Sequence, residues 1–380
     1  MKAPLVRAWV EDRLDDYLAE LTALVEHESP SRDKGALDAL AARIGARWVD
    51  LGARSVEIVE NSVGGNHVVG RFGGGLDQRP ALIVGHFDTV WPVGTLARMP
   101  IRREGARLHG PGVYDMKTSL ILVHAALESL AALGLSLRRP LTVLFTSDEE
   151  IGSLTSRTLI EDLARQSEHV LVLEPPLDDG SLKTARKGVG SFSLTVEGKA
   201  AHAGIAPEQG ASAIVELAHQ ILRIQALNDP SAGTTLNVGK IRGGTTSNVV
   251  ADQASAEIDV RTVTIAAAEA VERALPALDP VTPGTRVLVE GGINRPPMER
   301  SPAIAALFDR ARSIGRELGM ELTEGSTGGG SDGNFTAALG APTLDGLGAL
   351  GGGAHADHEH ILINSIPERA ALLAALILKL

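Results

Sequence analysis

The stretch ALIVGHFD, residues 81–88, decides the fold. Its first four residues are apolar without alternation and too few for a helix, so they read as a strand buried on both faces. The run stops at Gly85, and His86 and Asp88 follow at once. Two other stretches repeat the pattern. LTVLF, 141–145, runs into TSDEE, 146–150, and VLVL, 170–173, runs into Glu174 and Pro175. Between the first two lies helical sequence, beginning at Asp115-Met116-Lys117, running to about Leu133 and closed by Gly134. Buried strands alternating with helices predict a largely parallel sheet covered on both faces. Such sheets place their ligand beyond the carboxyl ends of the strands. Here all three apolar runs end, on that side, in His, Asp or Glu.

Outward from this core, residues 10–51 carry helical spacing (Leu14, Leu18, Leu21, Leu24, Val25) interrupted at Ser29-Pro30-Ser31. The apolar end, AALLAALILKL, reads as a docked helix. After Gly188 the pattern changes. Strand 191–196, helix 209–227, strands 234–241 and 254–261, helix 266–278 and strand 286–289 follow in turn. That order, βαββαβ, is the ferredoxin-like split motif. The expectation is an α/β domain, residues 1–188 and 298–380, interrupted by an α+β domain, residues 189–297. A helix over 302–318 and the glycine-rich loops at 328–330 and 351–353 complete the first domain.

Composition narrows the function. The chain has 380 residues, enough for about two domains of ~150 residues. Its 44% hydrophobic and 22% charged residues are those of an ordinary globular protein. A net charge of −11, without a long basic run, argues against nucleic acid or an anionic membrane as partner. No apolar run approaches ~18 residues and the first residues lack a signal-peptide core, so the expected location is the cytoplasm. There is no cysteine, which excludes a disulfide, a thiolate metal site and a thiol nucleophile.

Any metal must therefore be held by imidazole and carboxylate. The strand ends supply His86, Asp88, Asp115, Glu149, Glu150 and Glu174, and the last glycine-rich loop supplies His355. His358 and His360 stand close enough in sequence to replace His355, and Asp115 also suits a helix N-cap. Converging carboxylates repel unless cations lie between them, and two divalent metals would resolve the repulsion. Of the adjacent pair Glu149-Glu150, one acid can bind metal while the other takes a proton from the attacking water.

GHFDTV (85–90), GPGVYDMK (110–117), DEEIGS (148–153), LEP (173–175), GKAAHAG (198–204), TGGGSD (327–332) and GGAH (352–355) resemble the co-catalytic zinc exopeptidases. That family includes glutamate carboxypeptidases, aminoacylases, acetylornithine deacetylases and succinyl-diaminopimelate desuccinylases. The lid motifs and TGGGSD look most like glutamate carboxypeptidase. The resemblance implies a mixed sheet covered by helices, with a ferredoxin-like lid and dimerisation domain. It implies two Zn2+, with Mn2+ or Co2+ as substitutes. His86, Asp115 and Glu174 would hold one ion, and Asp115, Glu150 and His355 the other. Glu149 would be the general base, and Asp88 would fix the tautomer of His86. His202 would stabilise the oxyanion of the other subunit of a homodimer. Asn248 and Arg261 would orient substrate, Arg295 would bind its terminal carboxylate, and Gly329 and Gly330 would offer N–H groups to it. The implied reaction releases a C-terminal amino acid, glutamate in the subgroup it most resembles, from an N-acyl-amino acid or small peptide. One departure is clear: Lys183 falls one residue out of register with the lysine that glutamate-specific members use. A deacylase or dipeptidase of the same family is the alternative. A di-metal phosphoesterase and a non-enzymatic binding protein are the readings from other classes.

Overall fold

The computed structural model describes residues 3–74 and 77–380, which form two compact units. The outer unit takes the chain up to Ala185, Arg300–Thr327 and Ser331–Leu380. The insert takes Arg186–Glu299 and Gly328–Gly330.

Three helices open the outer unit: α1 (Ala3–Glu11), α2 (Leu14–Val25) and α3 (Lys34–Asp50). The break before α3 falls after Ser29-Pro30-Ser31, and the Asp33 carboxylate caps α3 by accepting from Ala36 N at 3.0 Å. Strands β1 (Ser55–Val59), β2 (His67–Phe72), β3 (Ala81–His86), β4 (Arg102–Glu104) and β5 (Arg107–His109) follow. Then come α4 (Thr118–Ala132), β6 (Leu141–Thr146), α5 (Arg157–Gln166), β7 (His169–Val172) and β8 (Leu182–Arg186). The insert contributes β9 (Gly188–Glu197), α6 (Ala213–Ala226), β10 (Thr235–Gly243), β11 (Gln253–Thr262), α7 (Ile265–Ala274) and β12 (Arg286–Arg295). The outer unit resumes with α8 (Pro302–Glu317), β13 (Glu324–Thr327), α9 (Gly333–Ala338), β14 (Thr343–Leu344), β15 (Gly351–Gly352), β16 (His360–Leu362) and α10 (Ser365–Lys379).

The main sheet runs β1-β2-β6-β3-β7-β14. Strand β3 pairs in parallel with both β6 and β7, and β14 is parallel to β7. Every residue of β3, β6 and β7 is buried, as unbroken apolar runs require when helices cover both faces. The β1–β2 hairpin is antiparallel to this block, so the sheet is mixed. Helix α10 is the docked helix expected from the sequence: Leu372, Leu373 and Leu376 are buried in the same core as α4.

In the outer unit, the start of α4 differs from the expectation. The helix does not begin at Asp115 but at Thr118, and Asp115 and Met116 take non-helical backbone angles. The amides of Gly112, Tyr114 and Asp115 donate to the carboxylate of Glu359 instead of opening a helical turn. Asp115 is therefore not an N-cap, and its side chain is free for another task.

The insert folds as the predicted βαββαβ unit, with antiparallel strand order β10-β11-β9-β12. Burial alternates along β9 and β11, so Phe192, Leu194, Val196, Ile258 and Val260 form one apolar face. Leu217 and Ile224 of α6 and Val271 of α7 close over that face. Helix α6 starts later than the expected residue 209 because Pro207–Gln209 forms a separate short turn and Ser212 caps the helix proper. The chain enters and leaves the insert side by side: Arg186 and Met298 exchange both backbone hydrogen bonds at 3.0 Å. Residues 328–330, which the sequence reading kept with the flanking domain, pack with the insert because Arg186 Nη1 donates to the carbonyls of Gly329 (3.2 Å) and Gly330 (3.1 Å). Among the described residues, no helix is long and apolar enough to cross a membrane.

Candidate metal centre

The carboxyl ends of the central strands carry the chemistry. His86 closes β3 and is 1% exposed. Its Nδ1 lies 3.0 Å from the backbone oxygen of Asp88 and 3.3 Å from Asp88 Oδ1. A carbonyl oxygen can only accept, so Nδ1 carries a proton. Nε2 then faces Asp115 Oδ1 at 3.2 Å and Glu174 Oε1 at 3.5 Å. On the other side, His355 Nε2 lies 3.3 Å from Asp115 Oδ2 and 3.0 Å from Glu150 Oε2. The two oxygens of Asp115 thus point to different histidines.

Glu149 joins the cluster. His86, Glu149 and Glu174 offer potential ligand atoms all within 4.8 Å of one another, and so do His86, Asp115 and Glu150. The Glu149–Ile151 turn is held from two sides. Asp88, fully buried, accepts from the amides of Glu149 and Glu150 at 3.2 Å each, and from Ser31 Oγ at 2.7 Å. Asp148, 2% exposed, accepts from the Thr155 amide and hydroxyl at 2.7 Å and from Ser156 Oγ at 2.6 Å. The sequence reading gave Asp88 only the ring of His86. That it also holds the acidic turn was not legible, because residues 88 and 149 meet only through the β3–β6 pairing. Asp148 was visible in DEEIGS but had no assigned task.

Charge is concentrated here. Burial pushes Asp115 up, but His355 and His86 beside it hold it well below the usual carboxylate range. Burial, with Asp115 nearby, pushes Glu150 up to about 7 against the pull of His355. His355 is itself pushed up to about 10 by Asp115 and Glu150. Four carboxylates and two imidazoles converge, and the lone-pair side of His86 faces acceptors. Such an array needs cations or extra protons between its members. The donors are nitrogen and oxygen with no sulfur, a set that suits Zn2+, Mn2+ or Co2+. The residues therefore fit a divalent-metal centre. His358 and His360 do not join it. The ring of His360 lies against that of His109, with centroids 5.2 Å apart, where β16 pairs with β5.

The remaining candidates lie in the insert, in two groups. His202 and Asn248 sit on adjoining exposed loops, where Ala203 N donates to the Asn248 carbonyl at 2.9 Å and Gly204 N to His202 Nδ1 at 3.2 Å. Arg261, Arg295, Gly329 and Gly330 form the second group. Arg261 Nη1 reaches the Gly328 carbonyl at 3.4 Å, and its fork is bidentate to Asp259 at 2.9 Å. Arg295 is 5% exposed, and its Cδ would stand 2.7 Å from a Cβ at residue 330, so a side chain there would have to displace the arginine. Arg186, 3% exposed, is a third guanidinium against this loop; in the sequence it stands out as part of RKG, 186–188, a candidate with Lys183 for reading the substrate side chain.

The sequence pattern of peptidase family M20/M25/M40 matches residues 82–379. The chain belongs to that family. Carboxypeptidase G2 of Pseudomonas sp. (strain RS-16) is 33% identical over 328 residues, covering 83% of this chain and 77% of that protein. The succinyl-diaminopimelate desuccinylase of Delftia acidovorans is 29% identical over 317 residues, covering 78% and 80% respectively. The crystal structure of aminopeptidase PepT from Bacillus cereus shares the fold with a TM-score of 0.80, at 23% identity and 96% and 98% coverage. As an M20/M25/M40 member, the protein is a hydrolase of the metallopeptidase type, built on an α/β sheet with a ferredoxin-like insert.

Proposed function

We propose that this M20/M25/M40 enzyme is a di-metal carboxypeptidase that hydrolyses the amide bond before a C-terminal amino acid, glutamate in the first instance. The observation that carries the reading is the strand-end cluster, with Asp115 directed at both histidines and Glu149 beside it. His86, Asp115 and Glu174 would hold one ion and Asp115, Glu150 and His355 the second, with Zn2+ the favoured metal. Bound there, divalent cations would polarise the amide carbonyl and make water more acidic. Glu149 takes a proton from the attacking water as its oxygen bonds to the carbonyl carbon, and delivers it to the nitrogen as the C–N bond breaks. Asp88 keeps the ring of His86 in one tautomer and holds the turn that carries Glu149. In the insert, Arg295 and Arg261 supply guanidinium groups suited to a carboxylate, Gly329 and Gly330 supply N–H groups, and Asn248 orients the substrate. The similarity to carboxypeptidase G2 supports the carboxypeptidase reading, and glutamate rests on the resemblance of the lid motifs and TGGGSD to glutamate carboxypeptidases.

The insert is further proposed as the lid and dimerisation element, with His202 of the partner subunit stabilising the oxyanion. Helix α6 exposes Ile214, Val215 and Leu222, and the edge strand β10 exposes Ile241, an apolar face fit to meet its own copy.

A deacylase or dipeptidase with another side-chain preference is the second reading. What favours it is Lys183, which is only 8% exposed and is bridged to Asp345 through both backbones. The test is amino-acid release from a panel of N-acyl-amino acids and dipeptides by the Zn2+-loaded enzyme, alongside Glu149→Gln. Glutamate release, with a loss of about 10²–10⁴-fold in kcat for Glu149→Gln, is the expected result. Release of other residues with glutamate inert selects the second reading. Full activity of Glu149→Gln removes that residue from the mechanism.

A further inference from the structure

Glu359 lies four residues beyond His355 and is fully buried in the outer unit. Both of its carboxylate oxygens are saturated with donors. Oε1 accepts from Tyr114 N at 2.9 Å and Asp115 N at 3.1 Å. Oε2 accepts from Gly112 N at 2.9 Å and the Trp91 indole Nε1 at 2.8 Å. The Glu359 carbonyl accepts from Gly110 N at 3.3 Å, and Glu359 N donates back to Ala356 O at 2.9 Å. One residue thus binds the turn that presents Asp115 to the loop that presents His355.

The cost of this arrangement argues for a task. An ionised carboxylate buried without a direct ion pair is expensive, and here it is offset by four oriented N–H groups, with the buried Lys117 ammonium adding a favourable charge nearby. Three of those groups belong to consecutive turns of backbone around Asp115, including its own amide. Asp115 must hold its two oxygens toward two histidines on opposite sides, so a small rotation of the turn would break one contact or the other. The turn itself is closed by Lys117 N donating to the Gly112 carbonyl at 2.9 Å, but Asp115 and Met116 within it depart from helical angles, so no regular helix fixes that orientation.

We propose that Glu359 is a positioning residue for the metal centre: by holding the amides of Gly112, Tyr114 and Asp115 it sets the Asp115 carboxylate between His86 and His355. This rests on the metal-centre reading of the cluster. Glu359 touches neither substrate nor metal and acts only through the turn. Replacing one of its oxygens by an amide NH2 turns a donor toward two of the four N–H groups while keeping the shape.

The experiment is titration of the metal-free protein with Zn2+ in chelator-buffered solution, well below the unfolding temperature, for wild type, Glu359→Gln and Glu216→Gln. Glu216 is a control of the same kind: it is fully buried in the insert and accepts from the amides of Val281 and Thr282. The expected result is binding about 10- to 100-fold weaker for Glu359→Gln at one or both sites, and unchanged binding for Glu216→Gln. Amide exchange at Gly112, Tyr114 and Asp115 should quicken in Glu359→Gln alone. If Glu359→Gln does not fold, Trp91→Phe removes one of the four donors and should weaken Zn2+ binding several-fold. Equal Zn2+ affinity in wild type and the folded variant overturns the positioning role and leaves the metal centre standing. A wild type that takes up no Zn2+ overturns the metal-centre reading, and the role of Glu359 with it.

Discussion

His86 and His355 approach the same aspartate from opposite sides, but they are held in different ways. His86 is 1% exposed, ends a central strand, and has its far nitrogen fixed by Asp88. His355 is half exposed, with its side chain at 51%, in a loop between two strands of two and three residues. Its backbone takes φ +60, in the left-handed region that non-glycine residues rarely occupy. The contrast separates two requirements of a hydrolytic centre. One side must be pre-organised so that ligands need no reordering. The other must stay open so that substrate and water can enter. The sheet meets the first and the glycine-rich loop meets the second.

The largest expected effect breaks this comparison directly. His86→Ala should destabilise the outer unit by about 3 kcal/mol or more, because it leaves buried carboxylates without their partner. It should also remove the ion assigned to His86, Asp115 and Glu174. His355→Ala should cost about 0.5 kcal/mol of stability at most, while still removing one metal from the pair. Denaturant unfolding and elemental analysis on the two variants check both; equal destabilisation would show that the two sides are alike.

A middle-sized effect sharpens it. Asp88→Asn should keep the fold but lower metal affinity or activity by about 10- to 100-fold, because a carboxamide cannot accept from His86 and from two turn amides together. Metal titration beside thermal unfolding reads this. An Asp88→Asn that binds metal normally would mean the buried side is set by packing alone.

The smallest effect lies on the open side. Arg98 and Asp357 form an ion pair at 2.5 Å, two residues beyond His355, with both side chains more than half exposed. Exposed pairs contribute about 0–1 kcal/mol and are screened by salt. Asp357→Asn should leave both unfolding and Zn2+ affinity within error of wild type. A clear loss would show that the open loop is more firmly held than its exposure suggests.

Much of this was legible from residues 81–88, 141–150 and 170–174, because long buried strands and the acids at their ends leave a pattern within a few positions. The βαββαβ order of the insert was legible for the same reason: alternation along β9 and β11 is a local signal. What escaped is non-local or short. Strands β4, β5, β15 and β16 form a four-stranded sheet from segments of two or three residues, too brief to show periodicity. The turn at Asp115 reads as a helix start, yet the group that unwinds it, Glu359, lies more than two hundred residues away. The clustering of Arg186 with Arg261 and Arg295 depends on a glycine loop that reaches the insert from outside its own span.

The paired backbones of Arg186 and Met298 have a consequence for how such a protein could arise. A segment whose first and last residues are hydrogen-bonded neighbours makes no demand on the route of the chain around it. The surrounding sheet, whose strands β7 and β14 are neighbours yet flank the whole insert in sequence, needs no rethreading to receive it. A single in-frame insertion into an ancestral gene suffices to add this module, and a single exchange suffices to replace it, with the ancestral core keeping its topology throughout.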